Sequence, residues 1–163
     1  MSYYVDTSHL VSVIGFSLEL TDPAMLRLAI ELCEYGKKLA PMFHYRGEPP
    51  FQDIYADHAV FLNTLLGENV ESGIAHFRKK VEECDPQENG TGPAQLLVVL
   101  LSRLKRYPEA VDVSVQYLAD ADQHQLACPS IQQLCYLAGD RNRLMEISRQ
   151  NQDFLAFAAG LLS

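Results

Sequence analysis

The chain has 163 residues, 48% of them apolar and 21% charged, with a formal net charge of −8. That length suits one domain with a sizeable core, and the composition is too apolar for a disordered chain. The acidic balance argues against a nucleic-acid or anionic-membrane partner, since both call for a basic surface.

Local basic clusters do occur, at Arg78-Lys79-Lys80 and at Arg103, Lys105 and Arg106. They read as solvated helix faces. Cys33, Cys84, Cys128 and Cys135 are widely and irregularly spaced, which predicts reduced thiols in a cytoplasmic protein and no disulfide frame. No basic stretch followed by an apolar run and a cleavage site marks the start, so no signal peptide is expected. The longest apolar run, 96-LLVVLL-101, is too short to span a bilayer.

Helix starts give the clearest local signal. Proline is tolerated in the first helical turn, where its missing N–H would be unpaired anyway. Pro23, Pro93, Pro108 and Pro129 each mark such a start, and Asn69 and Asp140 are candidate N-caps. Gly67 and Gly139 sit where a left-handed helix stop is wanted. Between these marks the apolar spacing predicts helices over 8–20, 23–40, 51–66, 69–84, 93–105, 108–120, 129–138, 141–150 and 152–162. In the second of these, Met25, Leu28, Leu32, Gly36 and Leu39 are expected to share one face, with Ala29, Cys33 and Ala40 alongside. In the fourth, Val70, Ile74, Phe77 and Val81 step by helical spacings. The stretches 41–50 and 85–92 are loops rich in Pro, Gly and polar residues, and 121–128 is irregular. Two segments, 16-FSLEL-20 and 111-VDVSVQY-117, alternate as strands do. Helix is expected for both, because there are too few other strands to build a sheet.

A pattern recurs along the chain. Ala29-Ile30, Gly73-Ile74, Ala110-Val111 and Leu144-Met145 stand at equivalent points of successive helices. The segments 28–41 and 72–86 both run about three turns from such a pair to a proline, Pro41 or Pro86. Leu66-Gly67, Gly73-Ile74, Phe77 and Pro86, with 106-RYPEA-110 and with Ala29, Cys33, Gly36 and Pro41, resemble the tetratricopeptide repeat, a helix–turn–helix unit of about 34 residues. In that family the small residue lets two helices approach closely, the aromatic fills the next layer and the proline stops the helix. The chain departs from the pattern at Phe61, Val98 and Gln132, where the family has a small residue, and at Ser114 and Ser148, where it has an aromatic; Pro86 falls one place late.

The resemblance implies an all-α fold, a short right-handed α-α superhelix of about four helical hairpins, with residues 1–163 forming one helical-repeat domain. It also implies an insertion near 41–50. By position it implies a concave groove lined by Tyr55, His58 and Leu62, then Gln95, Val99, Ser102 and Arg103, then Gln133 and Tyr136. Of these, Tyr55, His58, Gln95, Ser102, Arg103, Gln133 and Tyr136 are the expected partner-binding residues, suited to a peptide backbone and one carboxylate. The expected function is a protein–protein interaction or scaffold module that binds a peptide or partner helix. The family's carboxylate clamp is not reproduced, because His58 and Gln95 replace its cationic or asparagine donors.

No catalytic residue, cofactor or metal site is expected. His44, Asp53, Asp57 and His58 lack a metal-ligand spacing, and 89-NGTGP-93 lacks the Lys-Ser/Thr ending of a phosphate loop. Cys128 precedes a helix start, a position that can activate a thiol, although a packing role is the simpler expectation. A small enzyme with its site around Tyr55, Asp57, His58 and the 41–50 loop is the remaining catalytic alternative. The last helix, within 153-DFLAFAAGLL-162, is apolar nearly all round. A homodimer through 152–162, or a self-associating structural subunit, would cover it.

Overall fold

A computed structural model describes residues 21–39, 51–84, 90–119, 121 and 126–162. Every regular element among them is a helix: α1 Pro23–Leu39, α2 Phe51–Leu65, α3 Val70–Glu83, α4 Gly92–Arg103, α5 Tyr107–Tyr117, α6 Ile131–Ala138, α7 Arg141–Gln150 and α8 Phe154–Leu162. The helix expected over 8–20, the insertion near 41–50 and His44 lie outside the described residues. No helix among the described residues is long and apolar enough to cross a membrane.

The starts follow from capping chemistry. Asp22 Oδ1 accepts from the backbone N–H groups of Ala24 (2.7 Å) and Met25 (3.2 Å), with Pro23 completing the first turn. Asp140 Oδ1 accepts from the Arg143 N–H at 3.0 Å at the start of α7. The helix expected from Pro129 begins instead at Ile131. The reason is Ser130, whose Oγ accepts from the Gln133 N–H (3.2 Å) while Gln133 Oε1 accepts from the Ser130 N–H (3.0 Å). This reciprocal capping box fixes the boundary two residues later. The alternating stretch 111–117 is helical, with Ala110, Val111, Val113 and Ser114 turned inward.

One stop recurs. Gly67, Lys105, Gly139 and Gln152 all take left-handed φ, at 87°, 61°, 69° and 57°. At each, the residue's own N–H donates to the carbonyl three places back, and the next N–H donates to the carbonyl five places back, from Glu68 to Asn63, Arg106 to Leu101, Asp140 to Cys135 and Asp153 to Ser148. These paired bonds satisfy carbonyls that the helix end leaves free. Two of the four positions carry side chains that strain this conformation. Replacing Lys105 by glycine is therefore expected to raise stability by about 0.5–1 kcal/mol, net of glycine's entropy cost. A higher thermal midpoint, with the helical content unchanged, is the expected reading; a lower one would mean that the turn tolerates lysine freely.

The chain divides into two compact units, Met1–Gly73 and Ile74–Ser163. In the first, α1 packs on α2. The buried stripe of α1 is Leu26, Ala29, Cys33 and Gly36. Of the face expected from the sequence, Gly36 is buried and so are Ala29 and Cys33 beside it, whereas Met25 and Leu28 are about half exposed. The run from Met25 to Cys33 is apolar enough to offer two stripes. The one that packs carries the small residues, which let α2 come close: a Cβ placed on Gly36 would lie 2.9 Å from three ring carbons of Tyr55. On α2, Tyr55, Ala59, Phe61, Leu62 and Thr64 are buried.

In the second unit the main packing is between helices adjacent in sequence: α4 on α5, α5 on α6, α6 on α7 and α7 on α8. Ile74, Phe77 and Val81 are buried on the expected face of α3. Leu97, Val98, Leu100 and Leu101 of α4, Ala110 and Val111 of α5, and Ile131, Leu134 and Cys135 of α6 fill the core. Alternate helices are also tied by charge. Arg78 of α3 donates to Glu109 of α5 at 2.7 Å, and Arg106 holds the same carboxylate at 2.5 and 2.9 Å. Arg143 of α7 pairs with Asp112 of α5. Both inter-helix links span 31 residues.

Candidate partner-binding surface

The expected site residues divide between the two units. Tyr55 and His58 belong to the first. Tyr55 is only 2% exposed, a core residue lying over Gly36. Burial pushes its phenol pKa up. His58 is half-buried on α2, and its Nδ1 lies 2.7 Å from the Ile54 carbonyl oxygen of its own helix. A carbonyl can only accept, so Nδ1 carries the proton and Nε2 is the remaining ring nitrogen.

Gln95, Ser102, Arg103, Gln133 and Tyr136 belong to the second unit. Gln95 near the start of α4 is a structural clasp. Its Nε2 donates to Thr91 Oγ1 (2.8 Å), and its Oε1 accepts from the Ala127 N–H at 2.7 Å. That bond brings the approach to α6 beside the first turn of α4. Ser102 is on the final turn of α4 with its hydroxyl buried and without a hydrogen-bond partner among the described residues. Arg103, also half-buried, ends the same helix, where a cation complements the helix dipole. Gln133 is exposed, but its amide oxygen is spent in the capping box with Ser130.

Tyr136 differs from the others. It is 74% exposed on α6, and Leu137 beside it is also exposed. The geometry follows from the helix period. Ile131, Leu134 and Cys135 define the buried stripe, so residues 132, 133, 136 and 137 turn outward. The result is an aromatic and an aliphatic side chain beside Gln132 and Gln133. Gln132 Nε2 in turn donates to Asp153 Oδ2 at 2.8 Å. Leu137 was not among the residues expected from the sequence. The signal for it was the buried triad itself, which leaves no inward place for a leucine at 137.

Among the described residues, no three His, Cys, Asp or Glu side chains gather closely enough to hold a metal ion. All four cysteines are free thiols. Burial pushes Cys33 up to about 11 and also raises Cys128 and Cys135, so these thiols stay protonated at neutral pH. Comparison with family models, curated proteins and solved structures gives no match to this chain.

Proposed function

We propose that the second unit is a stacked array of helical hairpins of the tetratricopeptide kind, wound right-handed as in that family, and that the chain works as a protein-interaction module. Two features support the array. The same left-handed turn closes α4 at Lys105 and α6 at Gly139, and ion pairs of equal 31-residue span link α3 to α5 and α5 to α7. A stack of similar units produces such equal spans, because each unit meets its neighbour in the same way.

The observation that carries the function is the outward pair Tyr136 and Leu137 on α6. Exposed aromatic side chains bring large contact area at small entropy cost, and they are enriched where proteins meet. The bound segment is a peptide or helix with an apolar anchor for Tyr136 and Leu137. Such a preformed surface costs little ordering on the side of the array.

The test compares what the intact chain and the Tyr136→Ala, Leu137→Ala double variant retain from source-cell lysate, followed by titration of the retained protein in purified form. Loss of at least tenfold in affinity is expected for the double variant, with an unchanged helical spectrum. Equal retention by both proteins would move the surface away from α6. A purified partner that binds neither protein would refute the interaction itself.

A further inference from the structure

The outer face of α8 has a property that Tyr136 and Leu137 lack: its pattern is symmetric. Leu155 is 85% exposed, Leu161 is 64% exposed, and Ala158 midway between them is also exposed. The three are spaced by three residues and form one ridge of the helix. The opposite side is committed to α7, where Gly160 lies against Met145 and Leu144. Phe157, partly buried, is held under the Arg149 guanidinium at 5.6 Å. No residue of α8 is charged.

We infer that this face pairs with the same face of a second copy, the two α8 helices lying antiparallel about a two-fold axis. A two-fold contact must be self-complementary: whatever residue i touches on the partner, the partner's copy of that residue touches i. Leu-x-x-Ala-x-x-Leu meets that condition. With Ala158 on the axis, Leu155 falls opposite Leu161 of the second copy at both ends. The small central residue lets the backbones approach, and the two leucine pairs close over it. Charge favours this occupant. Residues 140–163 hold Arg141, Arg143 and Arg149 against Asp140, Glu146 and Asp153, so the whole net charge of −8 lies on residues 1–139. Two copies pairing through this segment therefore bring together no net charge of the segment's own.

One short helix face buries far less than the roughly 800 Å² per partner of a standard interface. The pair is accordingly weak, with a dissociation constant on the order of 100 µM. Sedimentation equilibrium of the purified full chain from about 10 µM to about 1 mM, a range bracketing that constant, tests it. The weight-average mass is expected to climb from 18.3 kDa toward twice that value. Leu155→Glu and Leu161→Glu, both at exposed positions, are expected to hold it at the monomer value with the helical spectrum unchanged. A constant monomer mass for the intact chain would overturn the inference, as would a dimer that persists in both variants. Ala158→Cys, with Cys84 and Cys128 changed to Ser, tests the axis directly. Under a mild added oxidant it is expected to form an interchain disulfide far faster than Arg141→Cys in the same background. Equal rates would exclude Ala158 from the axis and overturn the antiparallel pairing.

Discussion

Gly73→Ala is expected to destabilise the protein by about 1–3 kcal/mol, the cost of overpacking a filled contact. In an open helix the same change stabilises by about 0.5–1 kcal/mol, because glycine gives up more backbone freedom on folding. The sign reverses here because of Thr64. A Cβ at residue 73 would stand 3.0 Å from both Thr64 Cβ and Thr64 Cγ2, and closer still to Oγ1. Thr64 cannot easily turn away. Its hydroxyl donates to the Val60 carbonyl at 2.7 Å, and the side chain is almost wholly buried. Removing the obstruction should therefore rescue the loss: in Gly73→Ala, Thr64→Ala is expected to recover most of the stability, a favourable coupling between touching sites. Chemical denaturation of the parent, the two single variants and the double variant measures all of these. A Gly73→Ala protein as stable as the parent would mean that the two helices part at no cost.

Gly73 was legible in the sequence as the small residue of the Gly73-Ile74 pair, at the point where the resembled pattern brings two helices close. Gly67 and Gly139 were legible for the same kind of reason, since each follows a helical pattern and takes the left-handed φ of a stop. Lys105 and Gln152 adopt the same conformation without any sequence signal, because it is imposed by the hydrogen bonds around them. The α1 face was legible only in part, since Gly36 lies on the expected face with Ala29 and Cys33 beside it, but Met25 and Leu28 are about half exposed. Periodicity ranks positions by hydrophobicity, whereas packing centred on the small residues, over which Tyr55 could fit. That choice also put Tyr55 in the core, a placement visible only once two helices are set against each other. Gln95 and Gln133 illustrate the limit for polar residues. Their identity suggests contact with a partner, but their amides serve Ala127 and Ser130 of the same chain. Tyr136 was legible by position, and its exposure follows from the three neighbours that occupy the buried face of α6.

Phe61→Ala is expected to be the most damaging of these substitutions, costing about 3–5 kcal/mol. A protein of this kind has about 5–15 kcal/mol in total, so the loss takes a third or more of the stability. In the tetratricopeptide pattern a small residue stands at this point, so on resemblance alone alanine would look like a return to the family residue. The packing predicts the opposite. Phe61 has no exposed surface at all, and the space it fills was shaped around a ring. Truncation loses both the transfer energy of that ring and the contacts of the atoms left facing a void. Phe61→Leu keeps most of the volume and is expected to cost less than about 1.5 kcal/mol. Urea unfolding should show a fall in the midpoint for alanine several times that for leucine, at an unchanged slope. The contrast between the two variants is what decides the matter. If alanine were as well tolerated as leucine, α2 and its surroundings would have closed to the short contact that the family makes with a small residue. A large and selective loss would instead mean that the core around α2 is built on the ring of Phe61 and does not close over a small residue.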